Sequence, residues 1–222
     1  MSVEIRDSGL VQEACGHLSA IDSKFKSLIE AFPPPQFTPN ENYYQALVRS
    51  IIFQQISGRA GQKIFERFVN LFQSSPFPSP ELLSTTNVKF IRQAGLSQRK
   101  AEYVIGIAEA FSNPKFLDNS VSLMSDEEVS LNLTKIRGVG QWTADMFLIF
   151  TLARPDILPV GDHGVKKGMQ VFFQLSNLPD NETMYKLTES WMPYRSIACW
   201  YMWKIVDEKI QFTANSSIRL NL

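Results

Sequence analysis

At 222 residues the chain is long enough to bury one sizeable core or to form two small lobes. Its 22 basic residues balance its 22 acidic residues, so the formal net charge is zero. Nucleic-acid-binding proteins are usually basic, so this balance argues against that class on average charge, although a local basic face can still form. The two cysteines, Cys15 and Cys199, are too few for an iron–sulfur cluster, and no zinc-ligand spacing is present. We therefore expect neither zinc nor an iron–sulfur cluster.

The sequence contains no apolar segment that predicts export or membrane insertion. Residues 1–7 have no apolar core of the kind that a signal sequence needs. The longest apolar run, at about 146–153, is far too short to cross a bilayer. We expect a soluble protein inside the cell, with no membrane partner.

Apolar residues at helical spacing begin near the amino terminus. Residues 8–32 predict one or two short helices, which the prolines at 33–35 bring to an end. A second apolar stripe begins after Asn42 and consists of Tyr44, Val48, Ile51, Ile52 and Ile56. Gln55 falls on this stripe, four residues after Ile51. A polar amide on an apolar face either is buried against a neighbouring loop or has a function, and the stripe alone favours neither.

The helix predicted for 58–73 has an apolar face and a basic face. The apolar face consists of Ile64, Phe68, Val69 and Phe72. The basic face consists of Arg59, Lys63 and Arg67. A charged face of this kind is more often simply solvated than a binding surface.

Capping residues predict where several later helices begin. Ser79 precedes Pro80, Ser97 precedes another helical segment, and Ser125 with Glu128 has the capping-box pattern. Residues 87–93, 181–190 and 194–209 complete the predicted helices. Since no alternating strand pattern persists anywhere in the chain, the predicted fold class is all-α.

A short glycine turn between two predicted helices carries the first chemical signal. Gly138 and Gly140 flank a single valine, so the backbone can take a positive φ and stay bare on one side. Gln141 then begins an apolar helix, whose first N–H groups and positive dipole end suit one phosphate. Lys135 and Arg137 add positive charge beside the turn. A glycine turn alone is more often an ordinary connection between helices.

Five segments in order resemble the helix-hairpin-helix superfamily of DNA glycosylases, and most closely its alkylpurine (3-methyladenine) branch. They are IIFQQIS at 51–57, GLSQRKA at 95–101, IRGVGQWTA at 136–144, PVGD at 159–162 and WMPYRSIA at 191–198. Each segment is weak evidence alone, but their common order across roughly 42–205 is strong. The resemblance implies a two-lobed helical fold with the active site in the cleft between the lobes. One lobe would be 42–153, with the hairpin, and the other would combine 1–41 with 154–222.

The resemblance implies that Asp162 is the catalytic carboxylate, which stabilises positive charge on the sugar or orients the attacking water. Read alone, Asp162 is more simply the N-cap of the following helix, and the two roles are compatible. The implied base pocket is aromatic, because an alkylated purine is positively charged and attracts aromatic faces. Its members by motif position are Trp142, Trp203 and Tyr194, unless these rings only fill the core. Met146 and His163, assigned to the same pocket, depart from residues found in some relatives.

Three kinds of DNA contact are implied as well. Gln55 would be a polar wedge, the side chain that enters the duplex where the base has left. Phosphate contacts would come from Gly138, Val139, Gly140, Gln141, Lys135, Arg137, Arg59 and Lys63. The backbone carbonyls of Thr134, Ile136 and Val139 match positions that hold a structural monovalent cation, K⁺ or Na⁺, in relatives. No cofactor is implied for catalysis.

Three functions compete on this basis. The first is a monofunctional glycosylase that flips out alkylated purines such as 3-methyladenine, 7-methyladenine and 7-methylguanine, and leaves an abasic site. The second, a glycosylase/lyase, needs a lysine just after the hairpin, where this chain has Trp142. The third is a module that only binds DNA, against which Asp162 and the paired tryptophans argue. We favour the first, as a monomer acting on double-stranded DNA with alkylated or abasic nucleotides. The expected compartment is the nucleus in a eukaryote and the cytoplasm otherwise.

Overall fold

Helices make up most of this computed structural model, which describes residues 8–37, 39–72, 77–113, 116, 121, 123–213 and 218–220. The described residues form twelve α-helices. In chain order they are α1 (Ser8–Ile21), α2 (Ser23–Ala31), α3 (Tyr43–Phe53), α4 (Gly58–Asn70), α5 (Pro80–Ser84), α6 (Val88–Arg92), α7 (Gln98–Phe111), α8 (Asp126–Thr134), α9 (Gln141–Phe150), α10 (His163–Phe172), α11 (Asn181–Leu187) and α12 (Arg195–Asp207). A 3-10 helix, Glu189–Trp191, lies between α11 and α12. The predicted all-α class is confirmed.

A short hairpin of two strands was not predicted. Strand β1 (Ile210–Phe212) pairs antiparallel with β2 (Ile218–Leu220), and Gln211 lies opposite Arg219. Strands of three residues are too short to show an alternating pattern in the sequence. Among the helices of the described residues, none combines the length and the apolar character that crossing a membrane requires.

Side-chain caps begin several helices where the sequence predicts them. The hydroxyl of Ser79 accepts the N–H of Leu82 at 3.3 Å before α5, and that of Ser97 accepts the N–H of Lys100 at 3.3 Å before α7. The capping box before α8 is complete, because Ser125 and Glu128 each accept the backbone N–H of the other. These caps satisfy N–H groups that a helix start otherwise leaves without partners.

The first compact unit comprises Asn40–Phe147. Helix α7 is at its centre and packs against α3, α5 and α6. Its core consists of fully buried side chains that include Leu47, Ile51, Ile52, Phe68, Leu83, Ile91, Val104 and Ile107. Because the unit also contains α8 and the start of α9, it positions the glycine turn.

The second compact unit combines the described residues up to Pro39 with those from Leu148 onward. Its core contains a cluster of buried aromatic rings. The ring centroid of Phe25 lies 4.6 Å from that of Phe172 and 5.3 Å from that of Trp191. The division of the chain thus falls after Phe147, whereas the sequence-based estimate was 153.

Two glycines let α10 pack closely against α12. A Cβ built on Gly168 would clash with the backbone carbonyl of Met202, and one built on Gly164 would lie 2.9 Å from the ring of Trp203. Residues four apart share one face of a helix, so both glycines face α12. This packing holds the start of α10 beside Trp203.

Gly168→Ala should destabilise the protein by about 1–3 kcal/mol, because the new methyl group would meet main-chain atoms of α12 that cannot rotate away. Denaturant unfolding followed by circular dichroism measures this change. Gly16→Ala in α1 is the control, since nothing lies within 4 Å of its added Cβ and alanine should stabilise that helix by about 0.5–1 kcal/mol. Equal effects at the two positions would contradict the close approach of α10 and α12.

Candidate active site

Asp162 caps α10 and is almost fully buried, with 8% of the residue exposed. Its Oδ1 atom accepts the backbone N–H of Val165 at 2.8 Å. The same oxygen accepts the indole N–H of Trp203 at 2.9 Å. The N-cap role that the sequence left open is confirmed, and the two bonds hold the carboxylate in one orientation beside an aromatic ring.

An aromatic pair lies next to this carboxylate. Phe150 stacks on Trp203, with ring centroids 5.6 Å apart and an angle of 29° between the ring planes. Phe37 contacts Phe150 edge to face, at 5.6 Å between centroids. Phe150 nevertheless remains 42% exposed. A buried carboxylate beside a partly exposed aromatic pair suits a flat ligand that carries positive charge.

Phe150 is not among the residues that the sequence predicts for the pocket. It belongs to the apolar run 146–153, where a phenylalanine looks like any other core residue. What distinguishes it is a large ring left exposed against Trp203. That feature depends on packing between α9 and α12, and no local pattern in the sequence reveals it.

Three of the predicted pocket residues lie at helix starts or on one helix face. Trp142 and Met146 are four residues apart on α9, so they share a face of that helix in the first unit. Trp142 is 39% exposed. His163 is the exposed first residue of α10, directly after Asp162. Their assignment to the pocket stays a prediction from motif position.

Tyr194 lies at the start of α12, away from the pair described above. Its ring packs edge to face on His17, with centroids 5.4 Å apart. Trp203 lies nine positions further along the same helix, a rise of about 13 Å. Among the described residues, no hydrogen bond or ring contact joins Tyr194 to Asp162 or Trp203. The assignment of Tyr194 to the pocket therefore rests on motif position and stays a prediction.

The glycine turn between α8 and α9 uses its two glycines differently. Gly138 has a φ of 95°, which L side chains rarely adopt, and a Cβ there would clash with the ring of Tyr103. The hydroxyl of Tyr103 in turn accepts a hydrogen bond of 3.1 Å from Arg99. Gly140 lacks a positive φ, and nothing lies within 4 Å of a Cβ built on it. It leaves open space beside the first N–H groups of α9, which is what a closely bound phosphate needs.

A polar network holds the start of α9 against α8. The side-chain amide of Gln141 donates to the hydroxyl of Ser130 at 2.9 Å and to the carboxylate of Asp145 at 2.8 Å. Burial raises the pKa of Asp145, and the bond from Gln141 partly opposes that shift. The side chain of Gln141 is thus bonded to other residues of the protein. We therefore expect its backbone N–H to make the predicted phosphate contact.

The basic residues predicted to bind phosphate are all exposed: Arg59, Lys63, Lys135 and Arg137. Arg137 forms a loose ion pair with Glu102 at 3.7 Å, and Lys135 donates to Asn132 at 3.2 Å. Exposed pairs of this kind contribute little to stability, so both cations can turn towards a phosphate.

Gln55, the predicted wedge, lies outside α3, which ends at Phe53. Its backbone is left-handed, with a φ of 57°, and its side chain is exposed. The amide used inside the protein is that of Gln54, which donates to the hydroxyl of Thr143 at 3.0 Å. The prediction that Gln55 continues the apolar stripe is therefore wrong, because the helix stops before it. An exposed side chain on a turn is consistent with a wedge.

The carbonyls predicted to hold a monovalent cation lie at the end of α8 and in the turn after it. The carbonyl of Ile136 accepts the N–H of Val139 at 3.0 Å. Within the described residues, no hydrogen bond reaches the carbonyls of Thr134 or Val139. Oxygen atoms without partners at a helix end are suitable ligands for a hard cation, so the carbonyls of Thr134 and Val139 fit the ion, and that of Ile136 has only its second lone pair left for it.

Comparison with known proteins identifies the family. The model of HhH-GPD superfamily base excision DNA repair proteins matches residues 48–193. The chain belongs to this superfamily. It is 37% identical over 193 residues to the alkylbase DNA glycosidase-like protein mag2 of Schizosaccharomyces pombe, covering 85% of this chain and 91% of that protein. It is also 32% identical to DNA-3-methyladenine glycosylase 1 of the same yeast, covering 85% of this chain and 84% of that one.

A solved member of the HhH-GPD superfamily has the same fold. It is the S. pombe 3-methyladenine DNA glycosylase in complex with abasic DNA, with a TM-score of 0.78 and 31% identity. The match covers 88% of this chain and 97% of that one. The resemblance read from the five sequence segments is confirmed.

Gly138→Ala in the hairpin of this HhH-GPD protein should lower the free energy of unfolding by roughly 2–4 kcal/mol, because alanine would take an unfavourable φ and press on Tyr103. Gly140→Ala is the matched control and should cost about 1 kcal/mol or less, since its Cβ would point into open space. Denaturant unfolding of both variants provides the comparison. Equal stability of the two would mean that the turn does not have this backbone conformation.

Proposed function

We propose that this chain is a monofunctional DNA glycosylase, which extrudes an alkylated purine from duplex DNA and hydrolyses its N-glycosidic bond. The observation that carries the proposal is the buried carboxylate of Asp162, bound to the indole of Trp203 on which Phe150 stacks. The names of the relatives at 37% and 32% identity, an alkylbase glycosidase-like protein and a 3-methyladenine glycosylase, support this substrate class.

The carboxylate of Asp162 would act on the sugar. As the N-glycosidic bond breaks, positive charge develops on the sugar, as in glycoside hydrolysis. A carboxylate stabilises this charge or orients the attacking water. The two N–H groups that bind Oδ1 fix the position of the carboxylate before the reaction, so little reorganisation is needed when the charge appears.

The aromatic pair would select the base. An alkylated purine is already cationic and leaves readily, so the enzyme needs little general acid. The faces of Phe150 and Trp203 attract such a cation, at about 0.5–2 kcal/mol for each good contact. A neutral purine gains no such attraction, and the pair therefore favours damaged bases over normal ones.

The first unit would make the contacts that bind the DNA backbone. Extruding a nucleotide costs a few kcal/mol, which contacts with the remaining duplex must offset. The open backbone at Gly140 and the start of α9 would bind a phosphate, supported by a K⁺ or Na⁺ on the hairpin carbonyls. Gln55 would fill the space that the base leaves. A protein that acts in this way on genomic DNA, as a monomer, belongs in the nucleus of a eukaryotic cell or the cytoplasm of a bacterium.

Strand cleavage is not expected. A glycosylase that also cuts the strand forms a Schiff base through a lysine just after the hairpin, and this chain has Trp142 at that position. The abasic product should therefore remain intact.

Incubation with methylated duplex DNA should release free 3-methyladenine and 7-methylguanine, with strands that break only after alkali or heat. Chromatography of the released bases and a denaturing gel before and after alkali measure both results. Binding without any base release would show a DNA-binding module instead. A covalent adduct trapped by borohydride would show a lyase.

Asp162→Asn should slow base release by roughly 100- to 1,000-fold, because it removes the negative charge and keeps an oxygen that can still accept both N–H groups. Stability should change by about 1 kcal/mol or less. The loss should be smaller for the most labile methylated bases and larger for 7-methylguanine. A single-turnover assay on one defined lesion, read beside a melting curve, provides the measurement.

Asp180→Asn is the matched control for this variant. Asp180 caps α11 in the same way, accepting the N–H of Thr183 at 2.8 Å, and it has no role in the proposed chemistry. Its substitution should leave the rate unchanged. If Asp162→Asn folds and excises as fast as the wild type, Asp162 only caps its helix and the mechanism is wrong.

A further inference from the structure

The side chain of Lys100 crosses from α7 to the end of α3. Its ammonium donates to the backbone carbonyl of Ile52 at 2.8 Å and to that of Gln54 at 2.6 Å. Carbonyls at a helix end have no partner within the helix, and a cation there is also favoured by the helix dipole. Burial lowers the pKa of Lys100, so the protein places this amine in a partly desolvated position. The two bonds therefore lie on either side of Phe53, the last residue of α3, and the second is made to the residue immediately before Gln55.

Other contacts fix the residues on either side of this point. A Cβ on Gly61 would lie 2.7 Å from the ring of Phe53, so that ring lies flat against α4. The guanidinium of Arg49 covers the same ring at 4.1 Å from its centroid. Gln54 is bound through its side chain to Thr143. These contacts thus fix the position of the chain as far as Gln54.

Gln55 itself has no such anchor. Its side chain is exposed, and within the described residues it makes no hydrogen bond. Its left-handed backbone is an unfavourable conformation for a residue with a side chain, so neighbouring contacts must impose it. The bonds from Lys100 to the carbonyls of Ile52 and Gln54 are contacts of this kind, since they fix the backbone directly before Gln55.

A cavity of about 240 Å³ lies against the Gln55 turn. Its lining includes Ile52, Gln55, Ile56, Ile64, Leu96 and Lys100. Because this space is empty of protein atoms, packing does not support the turn from that side. If the bonds from Lys100 were lost, the turn would have room to relax into the cavity.

We propose that Lys100 is a positioning residue, which holds the Gln55 turn in the conformation that inserts into DNA at the damaged site. This inference rests on the proposed function, because it assumes that Gln55 is the wedge. Lys100 touches neither the base nor the sugar in this scheme. Its effect on damaged DNA is transmitted through the backbone of residues 52–55.

Binding to two duplexes tests the proposal. One contains a tetrahydrofuran abasic-site analogue and the other is undamaged, and fluorescence anisotropy gives both dissociation constants. Lys100→Met keeps the apolar stem and removes the donors, so it should weaken binding to the abasic duplex by roughly tenfold. Binding to undamaged duplex rests on phosphate contacts and should change little. Lys100→Arg keeps charged donors and should retain most of the preference for the abasic duplex.

Lys63→Met is the matched control. Lys63 is an exposed lysine of α4 that is proposed to bind phosphate, so its loss should weaken binding to both duplexes by the same factor. If Lys100→Met gives that uniform pattern, or leaves both constants unchanged while folded, the proposal is wrong. Should Lys100→Met fail to fold, Lys100→Gln, whose neutral and shorter side chain cannot serve both carbonyls, must show the same selective loss.

A double-mutant cycle separates positioning from a general structural effect. In a Gln55→Ala background, Lys100→Met should cause no further loss of affinity for the abasic duplex, because Lys100 acts through Gln55. Additive losses would overturn the proposal. The base-release assay is independent of this result, since abasic DNA has no base to release. Failure of catalysis with an intact binding preference would thus reject the proposed function alone.

Discussion

The Oδ1 atom of Asp162 makes the interactions on which the rest of the second unit's site depends. It accepts the N–H of Val165 and the indole N–H of Trp203 at the same time. The first bond sets the start of α10, and the second sets the orientation of the ring. A carboxylate used only as a cap would need no aromatic partner, and a buried charge without partners would be costly. The same oxygen therefore caps the helix and orients the indole of the proposed pocket.

Close packing makes this arrangement possible. Gly164 leaves space for the ring of Trp203 against the first turn of α10, and Gly168 lets the backbone of α12 approach one turn later. With larger residues at these positions the two helices would move apart, and the indole would lose its reach to Asp162. The proposed chemistry thus depends on two residues that have no side chain to contribute to it.

Features fixed by neighbouring residues were predictable from the sequence. The capping box at Ser125, the positive φ at Gly138 and the cap at Asp162 are local properties, and the structure has all three. The end of α3 is different, because its carbonyls are capped by Lys100, which is 46 residues from Gln54 in the chain. A helical stripe that continues in the sequence to Ile56 gives no sign of that cap.

Residues whose role depends on packing were harder to recognise. Phe150 has the sequence context of a core residue, and only its exposed stacking on Trp203 separates it from the core. Tyr194 is assigned to the pocket by motif position, and the ring contact that the structure gives it is with His17. For both residues the sequence gives the type of side chain, but no local sequence pattern gives its position relative to Asp162.

The zero net charge of the chain has a consequence for how it would discriminate damage. Attraction to phosphates raises affinity for all DNA equally and supplies essentially all non-specific binding. In a neutral chain with a few exposed cations near the hairpin, we expect this contribution of phosphate contacts to the affinity for all DNA to be small. Under the proposed function, preference for damage would then come from contacts made only when a nucleotide has left the stack. These are the proposed contacts of the Gln55 turn with the duplex and of the aromatic pair with the base. Weak binding to phosphates would let the protein leave undamaged sites, while the two proposed contacts would add affinity only at a damaged one.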